Sequence, residues 1–256
     1  MSNIYLTLVF IFLYAPILAL AVFSFNDSKS MGKWEGFTLK WYESLFQDER
    51  IMTALFYTVV IAVIASVVAT IIGTITAIGI HNMRKGKLKS TLLSINNLPI
   101  LNPDVVTGVS LMTLFVFINV EFGFKTILLS HIVFNIPYVI LSVLPKLKQL
   151  PANIEEAAMD LGATPMYALQ KVIIPQIKPG IISGMLIAFT MSIDDFVISF
   201  FAAGNGVSNL SIEIYSMTRR GISPEINALS TIMFVVVLTL LILANVNGDK
   251  KTVISN

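Results

Sequence analysis

The sequence predicts an all-α integral membrane protein with six transmembrane helices, both termini in the cytoplasm. Three observations carry that prediction. Of 256 residues only 12% are charged and 55% are hydrophobic, where soluble domains carry about 25% charged. Mean hydropathy is +0.82. The apolar residues also gather into runs of about 20, the length a helix needs to cross a bilayer.

The runs fall at about 4–25, 54–80, 98–119, 124–145, 179–203 and 226–245, and residues 1–256 read as one transmembrane domain. The first run is too long, and too poor in basic flanking residues, for a signal peptide. It lacks a small-x-small cleavage site, so a retained span is expected. Polar segments at 26–50, 81–90, 146–178 and 204–225 separate the spans, and Val120-Glu121-Phe122-Gly123 makes a tight turn between the third and fourth. Orientation follows basic residues in short loops. Arg84, Lys85, Lys87, Lys89, Lys146, Lys148, Lys171, Lys178, Lys250 and Lys251 share one side. Lys29, Lys33, Lys40, Arg50, Lys125, Arg219 and Arg220 share the other. The bias puts the 146–178 loop inside.

Other classes are excluded by composition. Net charge is +2 with no basic run, so no nucleic-acid partner is expected. With no cysteine there is no disulfide, thiolate metal site or thiol nucleophile. His81 and His131 are far apart and match no metal motif. No G-x-x-x-x-G-K-[ST] phosphate loop is present, so any ATP must be handled by another chain.

Loop 26–50 holds Trp34, Phe37, Trp41 and Tyr42, which suit a membrane-interface belt, with Thr38 placed to cap a short helix. In span three, Asn96, Asn97, Pro99, Asn102, Pro103 and Asp104 interrupt one end. Asn102 is placed as a cap, Pro103 at the first helical position and Asp104 in the first turn. Such a break is tolerated only where protein buries it or a wet cavity lies beside it. Span four sets His131, Asn135, Tyr138 and Ser142 on one face, either a hydrogen-bonding seam between helices or a pathway lining. Span five contains Asp194 and Asp195. Neighbouring carboxylates on a helix lie about 100° apart and cannot point the same way. On an unbroken helix Asp195 shares a stripe with Ser192 and Ser199, and Asp194 one with Thr190. The pair is either a structural cap or ion pair, or it handles a cation in a translocation path. The absence of a basic residue in the span favours the cation.

The loop 146–178 is the most informative. Glu155, Glu156, Ala157 and Ala158 form a helix start with acids in the first turn, where the helix dipole favours them. Gly162 permits a sharp break, Pro165 starts a second short helix, and Pro175 with Pro179 is expected to end it and begin the next span. Written as E-A-A-x3-G-x9-[IV]-x-[IL]-P, the segment reads Glu156, Ala157, Ala158, Gly162, Val172, Ile174, Pro175. This resembles the EAA loop of bacterial ABC-importer permeases, which docks on a cytoplasmic ATPase. The consensus there has Ile and Leu at the positions of Val172 and Ile174, and both changes keep apolar bulk.

Further strings resemble the PotC-type permeases of spermidine/putrescine ABC transporters over nearly the whole chain. They are Gly36-Phe37-Thr38 with Trp41-Tyr42, Asn102 to Val106, Ser192 to Asp195, Ile214 to Met217 and Ser223 to Ala228. The resemblance implies a type I importer (MetI-like) fold of six helices in the bacterial inner membrane. It implies a second, PotB-like permease subunit, an ATPase homodimer that binds ATP and magnesium, and an extracytoplasmic polyamine-binding protein. Nothing catalytic and no metal or cofactor is expected in this chain. A path for a polycation needs weak counter-charges, and Asp194, Asp195, Ser192, Ser199, Asn135, Tyr138 and Asp104 are the candidates. The competing reading is an ABC permease for another small solute, such as a metal ion, thiamine or a phosphonate. A secondary transporter leaves the EAA loop unexplained.

Overall fold

The computed structural model describes residues 2–29, 32–204, 206–220 and 224–252. Twelve α-helices are described: α1 Ser2–Phe23, α2 Lys40–Gln47, α3 Glu49–Asn82, α4 Lys87–Leu101, α5 Asp104–Phe117, α6 Phe124–Gln149, α7 Ile154–Asp160, α8 Pro165–Ala168, α9 Ile174–Asp194, α10 Val197–Ala202, α11 Leu210–Arg220 and α12 Pro224–Thr252. A π-helical turn, Leu169–Ile173, joins α8 to α9. Among the described residues four helical stretches are long and apolar enough to cross a membrane: Tyr5–Phe23, Glu49–Asn82, Phe124–Gln149 and Pro165–Asp194. A fifth crossing arises if α4 and α5, bent by 108°, act as one. In the 226–245 run, the described apolar stretch is Pro224–Val236, shorter than a span, and the side chains from 240 onward lie outside the described residues.

Three helix limits differ from the sequence expectation. The 98–119 run is broken where the sequence places the interruption, but the cap differs. Pro103 has no N–H and forces Asn102 out of the helical region, so Asn102 is extended (φ −83°, ψ 145°) and ends α4. Pro103 itself, not Asn102, occupies the cap position of α5. Pro175 does not end a helix, because the π turn absorbs it. There the Ile174 N–H bonds the Leu169 carbonyl, and Gln176 Nε2 donates to the Val172 carbonyl at 3.0 Å. The 179–203 run breaks at Asp195, whose ψ of 122° is extended.

The chain divides into two compact units, one of residues 1–53 with 213–256 and one of residues 54–212. In the first, α1 and α2 pack on α12. The side chains of α1 are exposed almost throughout, as suits a helix facing lipid. The loop before α2 is built on Asn26. Its Nδ2 donates to the Lys33 carbonyl at 2.8 Å, and its Oδ1 accepts from the Glu35 N–H at 2.9 Å. Trp41 Nε1 donates to the Asn26 carbonyl at 2.7 Å, and Tyr42 Oη pairs with Ser24 Oγ at 2.7 Å. Trp41 is buried, so it locks this loop and does not join an aromatic belt; Trp34 and Phe37 stay exposed. Thr38 Oγ accepts from the Lys40 N–H at 3.2 Å, one residue ahead of the cap position. Asp48 starts α3 by accepting from the N–H groups of Arg50 (2.9 Å) and Ile51 (3.4 Å). Burial pushes its carboxyl up, but these bonds and the Arg50 guanidinium outweigh that and hold it below the ordinary carboxylate range.

The second unit is centred on α6, whose most extensive partner is α9. One core cluster joins Ala77 and Ile80 of α3, Val139, Val143 and Leu147 of α6, and Ile177 and Ala188 of α9. Glycines permit the approach. A Cβ at Gly73 would lie 2.7 Å from Val139 Cβ, and one at Gly184 would lie 3.2 Å from Val139 Cα. In lipid, where apolar burial gives helices little reason to associate, such close van der Waals contact replaces it. A second cluster joins Ile61, Phe115, Ile127 and Ala202, tying α10 to α3, α5 and α6. At its edge a Cβ on Gly204 would run into the Phe122 carbonyl and the Gly123 nitrogen, leaving no space for a side chain.

Gly204→Ala is therefore expected to destabilise the chain by about 1–3 kcal/mol, the usual cost of overpacking against rigid atoms. Gly79→Ala, in α3 with nothing within 4 Å, is expected to be neutral or mildly stabilising. Thermal unfolding of the two purified variants in detergent checks this, and equal melting temperatures would refute it.

Candidate functional site

Two places hold the predicted site residues. The first is the break between α9 and α10. After Asp194 the backbone leaves the helix, and the Asp195 carboxylate turns onto the first turn of α10. It accepts from the N–H groups of Ile198 at 3.2 Å and Ser199 at 2.7 Å. An aspartate in this position satisfies backbone donors that a helix start leaves open. His131 of α6 completes the shell, its Nε2 lying 3.4 Å from Asp195 Oδ2 and 2.9 Å from Ser199 Oγ. The imidazole and carboxylate are 2% and 8% exposed, so the carboxylate is held by protein donors and not by water.

The network extends on both sides. Asn135 Nδ2 donates to Ser192 Oγ at 2.7 Å, one turn along α6 from His131. Asn209 Nδ2 donates to Ser199 Oγ at 2.8 Å and to the Asp195 carbonyl at 3.0 Å. Thr126 Oγ donates to the Ala202 carbonyl at 2.8 Å, fixing the far end of α10 to α6. Of the expected path residues, the structure brings Asn135, Ser192, Asp195 and Ser199 into this buried knot. It leaves Asp194, Asp104 and Tyr138 outside it. Asp194 and Asp104 are exposed on this chain; Tyr138 is half-buried, its ring 5.3 Å edge-on from Phe134. The face of α6 that carries His131 and Asn135 is thus a hydrogen-bonding seam in this structure.

Sequence reading missed His131 as the partner of Asp195, because the two lie in different helices. It also missed Asn209. There a signal was available: Asn immediately before a helical run, its Oδ1 accepting from the Ile212 N–H at 3.0 Å, caps α11.

The second place is the loop between α6 and α9. α7 carries Glu155 and Glu156 in its first turn. It ends on Gly162 with φ +90°, a left-handed conformation that glycine adopts freely. The Gly162 N–H bonds the Met159 carbonyl at 2.9 Å and the Ala163 N–H bonds the Ala158 carbonyl at 3.1 Å, the paired bonds of a Schellman turn. Thr164 then caps α8, accepting from the Tyr167 N–H at 3.3 Å, with Pro165 at the first position. The turn opens a groove of about 440 Å³ lined by Ala158, Leu161, Gly162, Ala163, Thr164, Tyr167 and Val172. Two of its lining side chains are apolar and uncovered, Leu161 at 90% exposed and Tyr167 at 57%. Pro175 lies outside this groove, in the π-to-α junction.

Comparison with known proteins gives the family and the fold. Residues 69–247 match the model of the family described as "Binding-protein-dependent transport system inner membrane component". The chain is 37% identical over 250 residues to the spermidine/putrescine transport system permease protein PotC of Escherichia coli K12, covering 97% of this chain and 94% of that one. It is 40% identical over 234 residues to the putrescine transport system permease protein PotI of the same organism, covering 89% and 83%. Among solved structures it resembles a bacterial ABC transporter involved in import of the acidic polysaccharide alginate, with a TM-score of 0.75 at 16% identity over 97% of this chain and 94% of that one. It also resembles the MetNI methionine ABC transporter, with a TM-score of 0.63 at 20% identity over 77% and 95%. The fold is accordingly that of type I ABC importer permeases. On its sequence and its relatives, this multi-pass inner-membrane chain belongs to the binding-protein-dependent transport system inner membrane components, alongside the PotC and PotI permeases.

Proposed function

We propose that this chain is a permease subunit of an ATP-driven polyamine importer, forming half of the translocation path. The observation that carries the coupling half of this reading is the α7–α8 turn. A glycine-dependent turn presents Leu161 and Tyr167 around an open groove, on a loop whose basic residues favour the cytoplasmic side. A contiguous apolar rim in water marks an interaction site, and an ATPase homodimer is the partner of this fold that drives import. Similarity to PotC and PotI supports the polyamine substrate.

The chain crosses the membrane six times with both termini cytoplasmic. It hydrolyses nothing and holds no cofactor; ATP and magnesium belong to the ATPase. A second, PotB-like permease supplies the other half of the path, and an extracytoplasmic polyamine-binding protein delivers substrate. The second permease has a physical rationale. Asp194 and Asp104 are exposed on this chain, and a carboxylate facing acyl chains is too costly to keep. They face protein or water in the assembled importer. Closure of the ATPase pair moves α7 and α8, and the packed α6–α9 pair carries that motion to the α9–α10 break. The two aspartates divide the work: Asp195 caps α10, while Asp194 offers a weak counter-charge to the passing polycation. Ser192, Ser199 and Asn135 hold the break, and Tyr138 and Asp104 flank the path.

Two expectations follow. Gly162→Pro cannot adopt φ +90° and loses the N–H that bonds Met159, and Glu156→Lys reverses a first-turn charge. Both variants should insert normally but retain about tenfold less ATPase on co-purification, one lost contact's worth of affinity. Undiminished ATPase recovery with both would exclude docking through this loop.

Asp194→Asn should assemble normally, keep basal ATPase activity and lose most spermidine uptake per complex. Asp195→Asn should lower the yield of assembled complex instead, because one carbonyl oxygen replaces the two that meet Ile198, Ser199 and His131, and losing about one buried hydrogen bond to a charged group costs about 1–2 kcal/mol. Uptake normalised to assembled complex separates the two; unchanged uptake in Asp194→Asn would remove that residue from the path.

A further inference from the structure

The segment between α10 and α11 contains a buried amide that the path aspartates alone do not explain. Asn209 is 1% exposed. Its two N–H groups reach back across the α9–α10 break, one to the Asp195 carbonyl (3.0 Å) and one to Ser199 Oγ (2.8 Å). Its oxygen accepts the Ile212 N–H at 3.0 Å and so starts α11. The next residue is anchored too, since the Leu210 N–H donates to Thr58 Oγ of α3 at 2.8 Å.

The three bonds of its amide make one side chain responsible for two elements. A primary amide of this length is required. Aspartate has the same shape but no donors, and would set a second carboxylate beside the buried Asp195. Serine and alanine are too short to span both sides, and glutamine is one methylene too long for a site with no slack. Ser199 Oγ, which accepts from Asn209, also faces His131 Nε2 at 2.9 Å. The amide therefore feeds directly into the shell that holds the Asp195 carboxylate.

We infer that Asn209 is a positioning residue for transport: its amide fixes the Asp194–Asp195 turn to the start of α11, so that the direction of the exposed Asp194 carboxylate is set from the segment after α10. The transport consequence rests on the importer reading above; the structural consequence does not.

The test uses the assembled complex of this chain with its second permease and ATPase, as wild type, Asn209→Ala, Asp194→Asn and the double variant. Hydrogen exchange is read at the Ile198 and Ser199 amides, which bond Asp195 and which Asn209 does not touch. Positioning predicts that Asn209→Ala speeds exchange at these two amides about tenfold, the effect of losing about one buried hydrogen bond. It predicts a spermidine KM about tenfold higher, with kcat per assembled complex within about twofold. It further predicts that Asn209→Ala adds no loss on top of Asp194→Asn, because it acts through that carboxylate. Unchanged exchange at Ile198 and Ser199 overturns the inference, as does a full multiplicative loss in the double variant. If Asn209→Ala does not assemble, Asn209→Ser, which keeps one short donor, carries the same comparison. A wild-type complex that imports no spermidine refutes the substrate assignment, and the exchange measurement then decides the positioning alone.

Discussion

A carboxylate inside an apolar span must be neutralised by its own protein, and the upper part of the second unit is arranged around doing this for Asp195. Two backbone N–H groups of α10 and the imidazole of His131 surround it. Desolvating an unpaired carboxylate would cost several kcal/mol, far more than a surface charge. The helix break is the geometric solution. Only by leaving the helix at Asp195 does the chain turn α10 so that its open N–H groups meet the carboxylate. The break in turn gives the neighbouring Asp194 a different outlook from Asp195, so one dipeptide supplies both a structural anchor and an exposed charge.

The lower part depends on packing instead. Val139 is inserted between Gly73 of α3 and Gly184 of α9, and Gly180 leaves room for the Lys146 stem. These contacts bind α6 to α9 along the length between the α7–α8 groove and the Asp195 break. The π turn at Leu169–Ile173 lies where the loop becomes helix, so Pro175 is accommodated without a hinge-like gap in the span.

What was legible in the sequence was local chemistry. Gly162 and Pro165 announce a turn and a helix start within a few residues, and the structure forms both there, with Thr164 as the unread cap. The all-helical membrane class followed from composition. What was not legible required contacts between distant segments. The wheel that grouped Ser192, Asp195 and Ser199 assumed an unbroken helix; they do meet, but through a cap at a break. The absence of a basic residue in span five suggested an unpaired aspartate, and the donor came from His131 in another helix. Pro175 was read as a stop yet is absorbed by a π turn, while the interruption read at Asn102–Asp104 is there, its 108° bend being what local chemistry did not give. Trp41 looked like a belt residue because its indole donates to a backbone carbonyl that only the folded loop brings near.

The central claim is that this fold moves polyamines at the expense of ATP hydrolysed elsewhere. Radiolabelled spermidine uptake into proteoliposomes bearing the complete complex, with the binding protein outside, tests it most directly. The account predicts uptake that requires ATP on the ATPase side, is competed by putrescine, and is indifferent to thiamine, phosphonate or divalent metal. Uptake driven by an ion gradient without ATP, or ATP-dependent uptake of one of those other solutes with none of spermidine, would contradict it.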